Sequence, residues 1–286
     1  TEEVKSACAA ARGRIVFGHV RNGTSARLEV NNHPFLIDGL AWMHNGMVVD
    51  LETVRPRLLA SLPEDLKAQI HGQTDSELAG AVFASYVRRA RADNHSGAEA
   101  LSMAMRLTIR DVVQPALSQQ VLAASSGKLG RFGSAQNASS LNYAASDGHS
   151  VVATRFRSCD AEDPPTLYLG WPLDDAVEVK GTRDPACRPD SATAKCPLAR
   201  LGPMSIAARR LWIASEPLNY LDNKESMRVW GLLPKDSMVV FDGASGVTVS
   251  CLSEACEART AAAEASEEAA ETAETAEAQV SHHVHF

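Results

Sequence analysis

Aromatic side chains are scarce in this chain, at 5% of 286 residues, although 45% of residues are apolar. Much of the apolar count is therefore alanine. No apolar run is long enough to span a bilayer, so a membrane protein of helical type is not expected. An excess of basic residues is also missing: the net charge is −7 and the pI about 5.7. That balance argues against a general nucleic-acid binder. No charged-then-apolar leader opens the chain, so a cytoplasmic setting is expected. The six cysteines (Cys8, Cys159, Cys187, Cys196, Cys251 and Cys256) form no C-x-x-C pair. No zinc knuckle and no metal site are expected from them, and reduced thiols are the reading for a cytoplasmic chain.

What is present suffices for one large domain or two modest ones, with a real core. The acidity is concentrated at one end. From Glu254 onward there are eight Glu and one Arg, which leaves a body of net zero. An Ala/Glu-rich segment cannot bury enough apolar surface to fold on a core. The domain organisation read from this is a folded unit over 1–250 and an acidic disordered tail over 251–286. Residues 174–203, rich in Pro, Asp, Arg and Lys, read as a surface excursion.

Periodicity places the elements. Residues 14–19 (RIVFGH) read as a strand. Residues 40–49 (LAWMHNGMVV) read as two strands hinged at Asn45-Gly46, a favoured hairpin dipeptide. Residues 51–62 are helical in pattern. Thr74-Asp75-Ser76-Glu77 has the form of a capping box, opening a helix in which Leu78, Val82 and Tyr86 recur every fourth residue. A second long helix is expected from Ser96 to about Gln120. Strands are expected at 140–145, 151–156, 166–169, 210–215 and 238–241, with a turn at Asp147-Gly148. Strands flanking two central helices suit a layered α/β architecture.

Polar clusters stand beside these elements: Gly18-His19-Val20-Arg21 with Thr24, Asn31-Asn32-His33-Pro34-Phe35, His44-Asn45-Gly46, and Thr74 to Glu77. Each alone also fits a turn, a cap or a surface position. Together they supply a guanidinium, an amide beside a glycine, and a carboxylate. Arg21 suits bidentate binding of a carboxylate, with the Thr24 hydroxyl assisting. Asp75 suits an ammonium. The Asn45 amide and the Gly46 N–H suit an oxyanion. Such a kit grips an α-amino acid by its head and stabilises a tetrahedral intermediate on its side chain, which is acyl transfer from an amide.

The ordered set GHVRNGTSA, NNHPF, HNG and TDSE resembles the class II glutamine amidotransferases, N-terminal-nucleophile hydrolases, over about 15–243. Residues 140–156 (SLNYAASDGHSVVATRF), 163–170 (DPPTLYLG) and 213–220 (IASEPLNY) are similar to one branch of them. It contains the glutathione-degrading amidotransferase-like subunit of fungi and the γ-glutamyl hydrolase of bacterial ergothioneine synthesis. The resemblance implies an αββα four-layer sandwich and hydrolysis of a γ-glutamyl amide, with no cofactor. By position, Arg21 and Thr24 would bind the α-carboxylate, Asp75 the α-ammonium, and Asn45 and Gly46 would form the oxyanion hole. His33 and His44 would support these loops, His33 on the substrate side. The implied nucleophile is an N-terminal Cys whose own α-amine serves as base. This sequence starts at Thr1, so the expectation is a domain without its N-terminal strands and nucleophile, inactive by itself. The resemblance further implies a small-molecule γ-glutamyl substrate and a metallopeptidase-like partner subunit, with no nucleic acid or membrane. Two alternatives stand beside this: a glutaminase domain feeding ammonia to a synthase, and a catalytically dead subunit that binds γ-glutamyl compounds or serves assembly.

Overall fold

The computed structural model describes residues 6, 10–20, 28–125, 138–159, 162–172, 177–178, 196–197, 203–206, 211–217, 228–243 and 246–252. Strand β1 (Phe35–Ile37) and strand β2 (Leu40–Met47) form a hairpin in register Ile37↔Leu40. Its turn is Asp38-Gly39, with φ of 54° and 75°. Two successive positive φ values are what a type I′ turn demands, and Asp-Gly accepts them. The hairpin is therefore seven residues earlier than expected. Asn45-Gly46 lies inside β2 instead, because β3 (Ser140–Ser146) pairs with it continuously, Asn45 against Asn142 and Gly46 against Leu141. Both dipeptides satisfy the turn rule; a distant strand decided between them.

Four helices follow: α1 (Leu51–Ser61), α2 (Glu64–Lys67), α3 (Asp75–Ala92) and α4 (Gly97–Ser125). The expected long helices are thus present. β4 (Ser150–Arg155) pairs with β3 across the Asp147-Gly148 turn, as expected from that dipeptide. The later strands are β5 (Tyr168–Pro172), β6 (Val177–Glu178), β7 (Cys196–Pro197), β8 (Pro203–Ile206), β9 (Trp212–Ala214), β10 (Arg228–Leu232), β11 (Ser237–Asp242) and β12 (Gly246–Cys251). Two short strands, β6 and β7, come from the expected excursion, and its last residue, Pro203, opens β8; its other residues and the acidic segment after Leu252 lie outside the described residues.

The strands form two sheets. One has eight strands in the order β1-β2-β3-β4-β11-β12-β8-β6, and the other four in the order β7-β10-β5-β9. All four helices contribute to the core on one face of the larger sheet, where Trp42, Leu141, Tyr143 and Met238 meet Leu58, Leu66, Phe83 and Leu101. On the opposite face, Ala153, Val239, Val247 and Val249 pack with Leu169 and Trp171 of the smaller sheet. Helices, large sheet and small sheet are three successive layers, and the α/β expectation holds. The described helices all lie on one side.

Residues 11–20 differ from expectation. Ile15, Phe17 and His19 are half-buried while Val16, Gly18 and Val20 are exposed, which is strand periodicity. Yet no described strand pairs with them, so no strand forms. Cys251 is disulfide-bonded, which overturns the all-reduced reading; Cys159 is a free thiol. Whether two cysteines come within bonding geometry is a tertiary fact that cysteine spacing does not carry. Among the described residues, no helix is long and apolar enough to cross a membrane.

Candidate functional site

The site is built where the end of β2 meets the start of α3. Alternation along β2 turns Trp42 and His44 toward the helices, and both reach Ser76. Trp42 Nε1 donates to the Ser76 carbonyl at 2.8 Å, and His44 Nδ1 lies 3.0 Å from Ser76 Oγ. The other His44 nitrogen, Nε2, lies 3.0 Å from the Ser140 carbonyl. A carbonyl only accepts, so Nε2 carries the proton and Nδ1 accepts from the serine hydroxyl. Burial holds the His44 pKa below its ordinary value of 6.5, against the opposing pull of the Asp75 charge. The imidazole is accordingly neutral and fixed in one tautomer.

Asp75 is the first residue of α3. Its Oδ2 accepts from Val48 N–H at 2.7 Å, and its Oδ1 accepts from Ser76 N–H at 2.8 Å. A carboxylate here also sits in the favourable field of the helix N-terminus. The Val48 bond fastens the helix start to the chain just beyond β2, two residues after Gly46. Each oxygen has lone-pair capacity left, and the side chain is only partly buried, so an ammonium has access to it. Thr74 caps the helix by accepting from Glu77 N–H at 3.2 Å. The capping box is only half realised. The buried Glu77 carboxylate accepts from His71 N–H and Gly72 N–H at 2.8 and 2.7 Å rather than reaching back to Thr74.

Gly46 has a spatial reason to be glycine. A Cβ there would lie 1.9 Å from the Ser140 carbonyl oxygen and 2.9 Å from His44 Nε2, and its φ is +150°. Any side chain would occupy the path of the His44–Ser140 hydrogen bond. Asn45, one residue earlier, points to the opposite face and is exposed. Its amide is thus available at the strand end. Tyr143 packs on both His44 and Trp42, at centroid separations of 4.6 and 4.5 Å. Burial and the Asp75 charge push the Tyr143 phenol well above its ordinary pKa.

His33 stacks on His19 at 4.3 Å and meets Phe35 edge-on at 4.7 Å; the His33–Pro34 bond is cis. Its loop reaches the same corner, because a Cβ on Gly72 would lie 2.6 Å from Asn31 Oδ1 and 3.0 Å from Glu77 Oε2. So the structure brings together the loop of Asn31 and His33, the strand end with His44, Asn45 and Gly46, and the helix start with Asp75. Arg21 and Thr24 lie outside the described residues. Sequence reasoning passed over Ser76, Ser140 and Tyr143. Ser76 sits inside the TDSE cluster and Tyr143 inside the SLNYAASDG run, but only the fold reveals that both face His44. Among the described residues, no group of three or more His, Cys, Asp or Glu is placed to hold a metal ion.

No family model matches the chain. It is 30% identical over 164 residues to a protein of Saccharomyces cerevisiae named probable glutamine amidotransferase DUG3. The aligned part is 54% of this chain and 42% of the yeast protein, so the chain spans less than half the length of that relative. Two solved structures resemble it at a TM-score of 0.43 each. One is a glutamine aminotransferase class-II domain protein from Silicibacter pomeroyi, at 20% identity, covering 78% of this chain and 72% of that one. The other is the glutamine phosphoribosylpyrophosphate amidotransferase from B. subtilis, at 14% identity, covering 82% and 34%.

Proposed function

We propose that this chain binds the γ-glutamyl head of a small molecule and belongs to an amidohydrolase that cleaves its γ-amide, with glutathione or a related γ-glutamyl compound as substrate. One observation carries the reading: the Asp75–Val48 hydrogen bond joins the anionic start of α3 to the end of the strand that presents Asn45 and Gly46. That bond holds the Asp75 carboxylate against the backbone three residues beyond Asn45, which supports reading the two as parts of one site. The similarity to a probable glutamine amidotransferase supports the same chemistry.

In this reading Asp75 takes the α-ammonium, and Arg21 with Thr24 takes the α-carboxylate. The side-chain carbonyl then lies against the Asn45 amide and Gly46 N–H, which stabilise the oxyanion as the carbonyl becomes tetrahedral. The attacking group is the thiolate of an N-terminal Cys, as in the family the sequence resembles. His44 is a positioning residue. Its neutral ring ties β2, β3 and α3 together without adding a charge that would compete for Asp75.

Calorimetric titration of the chain with L-glutamate tests the headgroup assignment. Asp75→Ala weakens binding at least ~10-fold, since it removes a charge-assisted contact. Undiminished affinity in Asp75→Ala overturns the reading. In a form beginning with Cys that releases glutamate from glutathione, Asn45→Ala lowers the rate by about 10²–10³-fold.

A further inference from the structure

Beyond the glutamyl head, the described residues build a second wall. Asn142 stands directly opposite Asn45 in the β2–β3 ladder, and paired residues share a face of the sheet. Their side chains therefore project together toward the side of the smaller sheet. Asn45 is exposed, but Asn142 is 5% exposed and its amide is used at both ends. Its Nδ2 donates to the Pro165 carbonyl at 2.9 Å, and its Oδ1 accepts from Phe156 N–H at 3.3 Å.

The same segment is held by a buried cation. Arg155 is also 5% exposed, and its guanidinium donates to the carbonyls of Pro165 at 3.2 Å, Pro164 at 3.2 Å and Leu233 at 3.0 Å. Its nearest carboxylate, Asp163, is 3.9 Å away on a side chain that is 77% exposed. Burial lowers the Arg155 pKa, so this charge is kept at a cost. The cost has a reason. Pro164 and Pro165 have no N–H, so the segment cannot be fixed by donating into a ladder. Its carbonyls need donors from elsewhere, and Asn142 and Arg155 supply them. One residue on, Thr166 Oγ1 donates to Glu216 Oε1 at 3.2 Å, which fixes a carboxylate at the same rim.

We infer that residues 163–166 with Glu216 form the wall that meets the leaving half of the γ-glutamyl substrate, and that Asn142 and Arg155 are the positioning residues that hold it beside Asn45. This rests on the γ-glutamyl reading above and adds a selectivity to it. A rim carrying Glu216 disfavours leaving halves that bear a carboxylate and favours neutral or cationic amines. Glutamate itself has no leaving half and is indifferent to the wall.

The test is the ratio of glutathione to L-glutamate affinity, measured by calorimetry on the full chain. Glu216→Gln raises that ratio by roughly 2- to 5-fold, the effect of removing one exposed like charge. In an Asn142→Leu background the wall is no longer held, and Glu216→Gln leaves the ratio unchanged. Thr166→Val, a surface change that does not threaten folding, abolishes the Glu216→Gln effect in the same way and serves if Asn142→Leu does not fold. No change of ratio in Glu216→Gln overturns the wall. An undiminished Glu216→Gln effect in both backgrounds overturns the positioning role. Glutamate that binds while the ratio stays fixed leaves the function standing and sinks this inference alone. If neither ligand binds the unaltered chain, the γ-glutamyl reading falls and takes this one with it.

Discussion

The two faces of the eight-stranded sheet are buried by different means. Against the helices, the interior is almost wholly apolar: Trp42 and Phe83 lie 5.0 Å apart by ring centroid, and both are essentially inaccessible. Few polar groups are admitted there: the neutral His44 is held by Ser76 and the Ser140 carbonyl, and the buried Glu77 carboxylate by the His71 and Gly72 N–H groups. Against the smaller sheet, the core is supplemented by a charged guanidinium whose partners are backbone carbonyls. The first face shows apolar burial between helices and strands that satisfy most of their own backbone hydrogen bonds. The second shows what is required when a proline-containing segment has to be docked with carbonyls that no regular element can satisfy.

Five substitutions sharpen this contrast, ordered by expected effect. Phe83→Ala empties the centre of the helical face and costs about 3–5 kcal/mol, read from urea denaturation midpoints. Gly46→Ala forces a Cβ into the Ser140 carbonyl and costs at least about 3 kcal/mol in the same assay; a smaller loss would show that the strand end yields easily. On the other face, Arg155→Met leaves buried carbonyls without donors and costs about 2 kcal/mol. Faster amide hydrogen exchange at Thr166 and Leu167 would separate release of the segment from general weakening. Thr74→Ala removes the cap of α3 and costs about 1 kcal/mol.

The smallest effect is a pH dependence confined to the helical face. His44 has a lowered pKa when folded and its ordinary value of 6.5 when unfolded. Below pH 6.5 the unfolded chain takes up a proton that the folded chain refuses, so stability falls as pH drops, until the folded pKa is reached. The carboxylates with lowered values, Asp38 and Asp147, have ordinary values of 3.8 and act only at more acid pH. His44→Gln therefore flattens the stability profile between pH 7 and 5, and an unchanged slope would show that the proton is taken up elsewhere.

Much of this contrast was legible before folding, in particular places. The fourfold spacing of Leu78, Val82 and Tyr86 announced α3, and Asp147-Gly148 announced the β3–β4 turn. That Asp75 meets the chain close to Asn45 and Gly46 agrees with the resemblance and is not given by any local pattern. Residues such as Asn142 and Arg155 were not legible as functional, because a strand sequence reveals which positions alternate but not which distant loop each face will meet. The Asn45-Gly46 dipeptide misled for the same reason: local turn chemistry is satisfied equally at Asp38-Gly39.

The sequence by itself determined the local elements of this protein, since caps, turns and hydrophobic periods act over a few residues. It also supplied the guanidinium, amide and carboxylate side chains from which the proposed site is drawn. Only the tertiary structure decided which of them converge. The pairing of β2 with β3 spans some hundred residues, and that pairing alone sets the Ser140 carbonyl against His44 and Asn142 opposite Asn45.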